Sequence, residues 1–250
     1  MATVGSGFDK TEGYGEVTSP RVGVVWSPKG DGTRIKSSWA KGFKLPSFYA
    51  LGNPLVGDPK LRPERSRSWD AGIEQPLLRN RLVLSATYFR NDFQDLVDFS
   101  AVTFHLLNRS QALTQGVEFG ADYSVHRNLQ FRLDFSYIDW TLRNTTEPLR
   151  NIPHGNGGIH LDWKISPRLR ARAETQWMGR RYDFAVPVPN ETSVGGYSNT
   201  NFSADYDLSR KVALYLRADN LFNRRYHEYI GFPSPGAVVR FGLLFRVLGK

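Results

Sequence analysis

The 250-residue chain contains no cysteine. That absence excludes a disulfide framework, thiol catalysis and Cys-based zinc sites. The chain also has no run of about eighteen apolar residues, so no transmembrane helix is expected. A β-barrel is not excluded, because its strands are apolar on one face only. The opening MATVGSGFDKTEGYGEVTSP lacks the charged start, apolar middle and small-residue cleavage site of a secretory signal, so these residues are not expected to direct export by themselves. A formal charge of +9 invites a nucleic-acid partner, but the Lys and Arg residues are spread along the chain with no basic run or recognised motif. No nucleic-acid partner is therefore expected.

Catalytic chemistry is missing as well. His105, His126, His154, His160 and His227 have no paired metal-ligand spacing. No Ser/His/acid grouping is present, and the Gly-rich HGNGG at 154–158 lacks the strand-to-helix context of a phosphate cradle. The reading is of a protein that is not an enzyme, with no catalytic residues, no metal and no cofactor.

What the chain does have is a period of two. In LQFRLDFSY, Leu129, Phe131, Leu133, Phe135 and Tyr137 share one face and Gln130, Arg132, Asp134 and Ser136 the other. RLRARAETQW sets Leu169, Ala171, Ala173 and Trp177 against Arg168, Arg170, Arg172, Glu174 and Gln176. GVEFGADYSV, IHLDWKI, KVALYLRAD and VVRFGLLFRV repeat the split, and no segment has a helical period. Eleven strands are predicted, at about 20–27, 33–42, 67–76, 81–92, 112–125, 128–140, 156–165, 168–180, 197–208, 211–220 and 237–247.

The connections decide between architectures. SPKGDG, PLLRN, HRN, SP and SR are short, whereas 43–66, 93–111, 141–155, 181–196 and 221–236 are long. Short turns alternating with long loops mark an outer-membrane barrel, with tight turns on the periplasmic side and long loops outside. A Greek-key sandwich has no reason to keep that rhythm. Trp26, Trp39, Tyr88, Trp140, Trp177 and Tyr197 gather near predicted strand ends, as interfacial girdles require. The fold class is thus all-β: an antiparallel up-and-down transmembrane barrel with about 11–12 strands present. Residues 1–19 are read as an external loop or incomplete strand, 20–247 as barrel and 248–250 as a tail. Because bacterial barrels have an even strand number, eleven strands suggest part of a larger barrel, or twelve if a strand lies within 1–19.

Three stretches resemble one family. GDPKLRPERSRSWDAGIEQ carries Asp58, Pro59, Leu61, Pro63 and Glu64, then Trp69, Gly72 and Glu74. NRSQALTQGVEFGADY carries Gly116 and Glu118. ADNLFNRRYHEYIGFPSPGAVVRFGLLFRV carries Asn220, Leu221, Phe222 and Tyr226, then Gly231, Pro235 and Gly236, then a last strand. Together, over about residues 17–247, these are similar to the TonB-dependent outer-membrane receptors. The chain departs from that pattern after Phe245, where RVLGK follows instead of a terminal aromatic. The resemblance implies a twenty-two-stranded barrel with an N-terminal plug, of which about half the strands and neither plug nor TonB box are seen. It also implies location in the bacterial outer membrane and energy-coupled uptake of a ferric siderophore or cobalamin. The expected partners are outer-membrane lipid, lipopolysaccharide and, through an N-terminal region, the TonB complex.

Two residue sets follow. Phe43, Phe48, Tyr49, Arg180, Arg181, Tyr182, Phe184, Arg224, Arg225 and Tyr229 fall in the long loops and are candidate ligand contacts, since rings and guanidinium groups together suit large anionic ligands. Those cations could equally meet lipopolysaccharide phosphates. Arg132, Asp134, Arg168, Arg170, Arg172, Glu174, Arg217, Asp219, Arg240 and Arg246 are expected to face the lumen and plug, because a charge on the lipid side costs about 2–4 kcal/mol near the midplane. Two other readings remain open at this point: a complete passive porin-like channel and a soluble carbohydrate-binding β module.

Overall fold

A computed structural model of the chain describes residues 1–11, 13–28, 32–100, 102–143, 148–183 and 193–246. Its strands in chain order are β1 (Ala2–Thr11), β2 (Gly15–Trp26), β3 (Arg34–Lys44), β4 (Glu64–Leu77), β5 (Leu82–Phe99), β6 (Leu106–His126), β7 (Leu129–Leu142), β8 (Gly155–Lys164) and β9 (Leu169–Met178). After these come β10 (Arg181–Tyr182), β11 (Ser193–Val194), β12 (Tyr197–Asp207), β13 (Val212–Asp219), β14 (His227–Tyr229), β15 (Phe232–Pro233) and β16 (Val238–Phe245). Among the described residues there is one short helix, α1 (Phe48–Gly52), in the β3–β4 connection. Twelve strands form one sheet in the order β1-β2-β3-β4-β5-β6-β7-β8-β9-β12-β13-β16, while β10-β11 and β14-β15 are small separate ladders. Neighbours in sequence are neighbours in the sheet, which is up-and-down topology with two hairpins inserted into the late connections.

The chain divides into two compact units. Unit 1 comprises 1–75, 85–118 and 137–150. Within it β1 pairs with β2 from Ala2↔Val24 to Thr11↔Gly15, through a tight turn held by Gly13 (φ 85°) and Gly15 (φ 79°). On β3 and β4 the outward pairs Ile35↔Ile73 and Trp39↔Trp69 are apolar, and the Trp69 ring meets Tyr88 at 5.7 Å. Alternate residues turn the other way: Glu74 takes Arg34 and Lys36, and Ser38 donates to Asp70. Helix α1 is capped by Ser47, whose Oγ accepts from the Ala50 amide at 3.1 Å.

The loop motif that carries the family resemblance is a tying device. Leu61 is 3% exposed. Asn108 on β6 accepts from the Arg62 amide (2.8 Å) and donates to the carbonyls of Arg62 (3.0 Å) and Asp95 (2.6 Å). Glu64 accepts from the Val97 amide at 3.1 Å. The motif thus bonds back to the outer ends of β5 and β6. Gly116 is required for a different reason, since a Cβ there would run into the Tyr137 carbonyl and the Phe89 ring.

Unit 2 comprises 76–84, 119–136 and 151–250. One face is apolar, with Phe119, Phe135 and Trp177 stacked in a row at 6.4 and 6.5 Å. Two of its short turns use the same chemistry. Ser166 Oγ accepts from the amides of Arg168 (3.2 Å) and Leu169 (3.1 Å), and Ser209 Oγ accepts from Lys211 (3.2 Å) and Val212 (3.1 Å).

Three sequence expectations change. Residues 2–11, expected as an external loop or an incomplete strand, form a ten-residue strand, and 15–19 already belong to β2; the alternation is weak there because ATVGSGFDKT carries only Val4 and Phe8 as large apolar residues. With β1 present, the first connection at the long-loop end is a tight turn. The predicted 93–111 loop is mostly strand, because β5 runs to Phe99 and β6 starts at Leu106. Polar stretches there had read as loop, although strands that continue past an apolar band have no need of apolar residues. Arg168 precedes β9, in the turn. The tail at 248–250 lies outside the described residues.

Candidate functional site

The polar face of unit 2 holds its charges in cross-strand pairs. Arg132 Nε donates to Asp122 Oδ1 between β7 and β6 at 2.6 Å. His160 on β8 lies between Asp134 on β7 (3.3 Å) and Glu174 on β9 (3.8 Å). Arg172 Nε donates to Asp162 at 2.6 Å. Further along the sheet Arg217 pairs with Asp205 (2.7 Å), Arg246 with Asp207 (2.7 Å), and Arg240 with Asp219. Register places Arg172 directly opposite Asp162, where opposite charges are favourable, and His160 directly opposite Glu174.

Eight of the ten predicted polar-face residues take part in this belt: Arg132, Asp134, Arg172, Glu174, Arg217, Asp219, Arg240 and Arg246. Arg168 and Arg170 do not pair with a carboxylate among the described residues. Sequence reasoning missed Asp122, Asp162, Asp205 and Asp207 as the partners. Their signal was present in the same alternation, one strand away.

At the other end of unit 2, two connections are clasped together. Arg181 is 5% exposed, and its guanidinium donates to the carbonyls of His227 (3.2 Å) and Glu228 (2.6 Å). It also lies over the Tyr197 ring at 5.4 Å, and Tyr197 stacks on Tyr226 at 4.0 Å. Asp183, 1% exposed, accepts from the Ile230 amide at 2.9 Å. Arg181 is thus engaged in holding the connection, while Arg180, Tyr182, Arg224, Arg225 and Tyr229 present exposed surface beside it. Phe184 lies outside the described residues.

Asn220 anchors the later connection. Its carboxamide accepts from the Arg224 amide (2.9 Å) and donates to the carbonyls of Arg224 (2.8 Å) and Pro235 (3.0 Å). Asn223 accepts from the Ala237 amide at 3.0 Å. Nothing in the sequence periodicity pointed to Asp183 or to the Tyr197–Tyr226 stack. In unit 1, Phe48 (96% exposed) and Tyr49 (63%) project from α1. Phe43 instead lies on β3 beside a cavity of about 710 Å³ that also carries Lys41, Arg65 and Arg67.

Unit 2 thus combines paired charges on one face of an up-and-down sheet, an apolar opposite face and clasped connections. The profile of the family described as "TonB dependent receptor-like, beta-barrel" matches residues 2–221. The chain belongs to the TonB-dependent receptors. These are outer-membrane β-barrel proteins that transport and do not catalyse.

Solved structures of TonB-dependent receptors share the fold. The siderophore receptor PirA from Acinetobacter baumannii superposes with a TM-score of 0.78 at 20% identity, over 98% of this chain and 43% of that one. A structure described as the copper transporter OprC gives 0.77 at 19% identity, over 92% and 40%. The ferripyoverdine receptor of Pseudomonas aeruginosa, solved with ferripyoverdine, gives 0.73 at 18%, over 92% and 33%. The chain therefore spans well under half the length of the solved TonB-dependent receptors it matches.

Proposed function

We propose that the chain forms part of the barrel of a receptor for energy-coupled uptake of a ferric siderophore, with cobalamin as the other candidate cargo. The observation that carries this reading is the match to the TonB-dependent receptor barrel over residues 2–221. Neighbours whose names specify siderophores support the choice of cargo. In this reading the ion-pair belt of unit 2 faces the lumen, where water or a plug solvates it. The exposed groups of Arg180, Tyr182, Arg224, Arg225 and Tyr229 contact the ligand from outside, together with Phe48 and Tyr49. Rings and guanidinium groups suit the bulk and negative charge of ferric chelates. Coupling to the TonB complex belongs to a part of the receptor outside these residues.

The test is uptake of radiolabelled iron by cells that carry the receptor gene in place of their own siderophore receptors. Ferric catecholate, ferric hydroxamate and labelled cobalamin are supplied separately. The expected result is saturable accumulation of one cargo that disappears when TonB is deleted. Accumulation that is linear in concentration and independent of TonB would refute the proposal in favour of a passive channel.

A further inference from the structure

At the short-turn end of unit 2 the polar face stops pairing its charges. On the β8–β9 ladder Arg172 stands opposite Asp162 and donates to it at 2.6 Å. At the next polar-face position toward the turn, Lys164 stands directly opposite Arg170. Like charges directly opposite each other on paired strands repel. The Lys164 amide donates to the Asn128 carbonyl at 2.8 Å, which brings the β6–β7 turn, with its Arg127, against the same ladder. All three cations are exposed, and none has a carboxylate partner among the described residues.

The neighbouring carboxylates are committed to other cations. Asp205, which register places opposite Arg170 on β12, pairs with Arg217 at 2.7 Å, and Asp207 pairs with Arg246 at 2.7 Å. A cavity of about 190 Å³ is lined by Arg127, Lys164 and Arg170, and the carboxylate at its wall, Asp162, is the partner of Arg172. Lys164 and Arg170 keep the alternation of Asp162 and Arg172, so they continue the face of the ion-pair belt and not the apolar face. A cavity of this size falls below the roughly 300–1,000 Å³ that takes a drug-sized ligand, so it suits a small ion or the end of a larger molecule. Three cations without a counter-charge call for a multivalent oxyanion, and guanidinium forks match phosphate oxygens.

We propose that Arg127, Lys164 and Arg170 form a binding site for a phosphate group, free or esterified, at the short-turn end of the polar face. Phosphate is chosen over a carboxylate because it carries a charge of about −1.5 to −2 at neutral pH and at least three acceptor oxygens, enough to meet all three cations at once. Seated between Lys164 and Arg170, it converts their repulsion into two charge-assisted contacts and ties β8 to β9. The site uses no residue of the clasped connections, and the inference holds whatever the cargo is.

The test is phosphorus NMR and denaturant titration of the full chain in neutral detergent, with inorganic phosphate or glycerol phosphate compared against chloride at constant ionic strength. Wild type is expected to broaden the phosphate signal saturably and to unfold at a higher denaturant concentration in phosphate than in chloride. Lys164→Gln and Arg170→Gln should each weaken binding about tenfold, and together about a hundredfold, one charge-assisted contact at a time. Each also relieves the like-charge contact, so in chloride these variants should be at least as stable as wild type, which separates loss of the site from loss of the fold. Arg127→Gln, in a turn outside the opposed pair, should weaken binding about tenfold. Binding of both phosphates identifies the phosphate end of a larger molecule as the ligand, whereas binding of inorganic phosphate alone identifies the free ion. Equal responses of wild type to phosphate and chloride overturn the proposal. So does unchanged affinity in the Lys164→Gln, Arg170→Gln double variant, or acetate that binds as tightly as phosphate.

Discussion

Replacing Asn220 with alanine should release the connection between β13 and β16. Asn220 is 4% exposed and has φ 49°, in the left-handed region. Alanine removes three side-chain hydrogen bonds, two to the Arg224 backbone and one to the Pro235 carbonyl. At about 0.5–1.5 kcal/mol net for each bond, the loss is about 1.5–4.5 kcal/mol. The left-handed backbone adds about 1–2 kcal/mol for a residue with an ordinary Cβ. Asn220→Gly loses the same bonds without the backbone cost, so it should be milder than Asn220→Ala by about 1 kcal/mol. Asn220→Asp keeps the acceptor for the Arg224 amide but turns an acceptor toward two carbonyls, and should be at least as damaging as alanine. The assay is hydrogen exchange of the Arg224 amide in the refolded chain, measured by mass spectrometry after proteolysis. A local loss of about 3 kcal/mol accelerates exchange by about 10²-fold. Unchanged exchange in Asn220→Ala, or a glycine variant no milder than the alanine one, would refute the account of Asn220 as the anchor.

Arg181→Ala should separate the two clasped connections of unit 2, seen as faster proteolysis at 226–234. Arg181→Lys should restore only part of the protection, because an ammonium cannot reproduce the planar fork that reaches two carbonyls. Gly116→Ala forces a methyl group into the Tyr137 backbone, and loss of the folded, heat-modifiable band on gels is expected. In contrast, Asp122→Asn breaks a pair whose side chains are 67% and 58% exposed, so it should lower stability by less than about 1 kcal/mol in denaturant titration.

The strand pattern was legible because each buried or lipid-facing residue alternates with a polar one, as in Leu129–Tyr137. Alternation fails as a signal where neither face needs apolar residues. That is why β1, with only Val4 and Phe8 as large apolar residues, and the far ends of β5 and β6 give little strand signal. The polar-face charges were legible from the same alternation, but their pairing was not, since register depends on which residues of two strands lie opposite. Arg181 shows a second limit. An arginine among aromatics in a long loop has the composition of a ligand contact, yet here it is 5% exposed and bound to carbonyls 46 and 47 residues away. Burial created by two distant connections meeting leaves no local trace in the sequence.

The ion-pair belt has a consequence for movement. Because Arg132, Arg172, Arg217, Arg240 and Arg246 each sit within hydrogen-bonding reach of a carboxylate, the field of those pairs is a mosaic of small dipoles that weakens within about a Debye length, about 8 Å at physiological salt. A charged solute sliding over it meets shallow bumps of alternating sign in place of a deep well. The paired part of the face is thereby electrostatically smooth on the scale of a strand spacing.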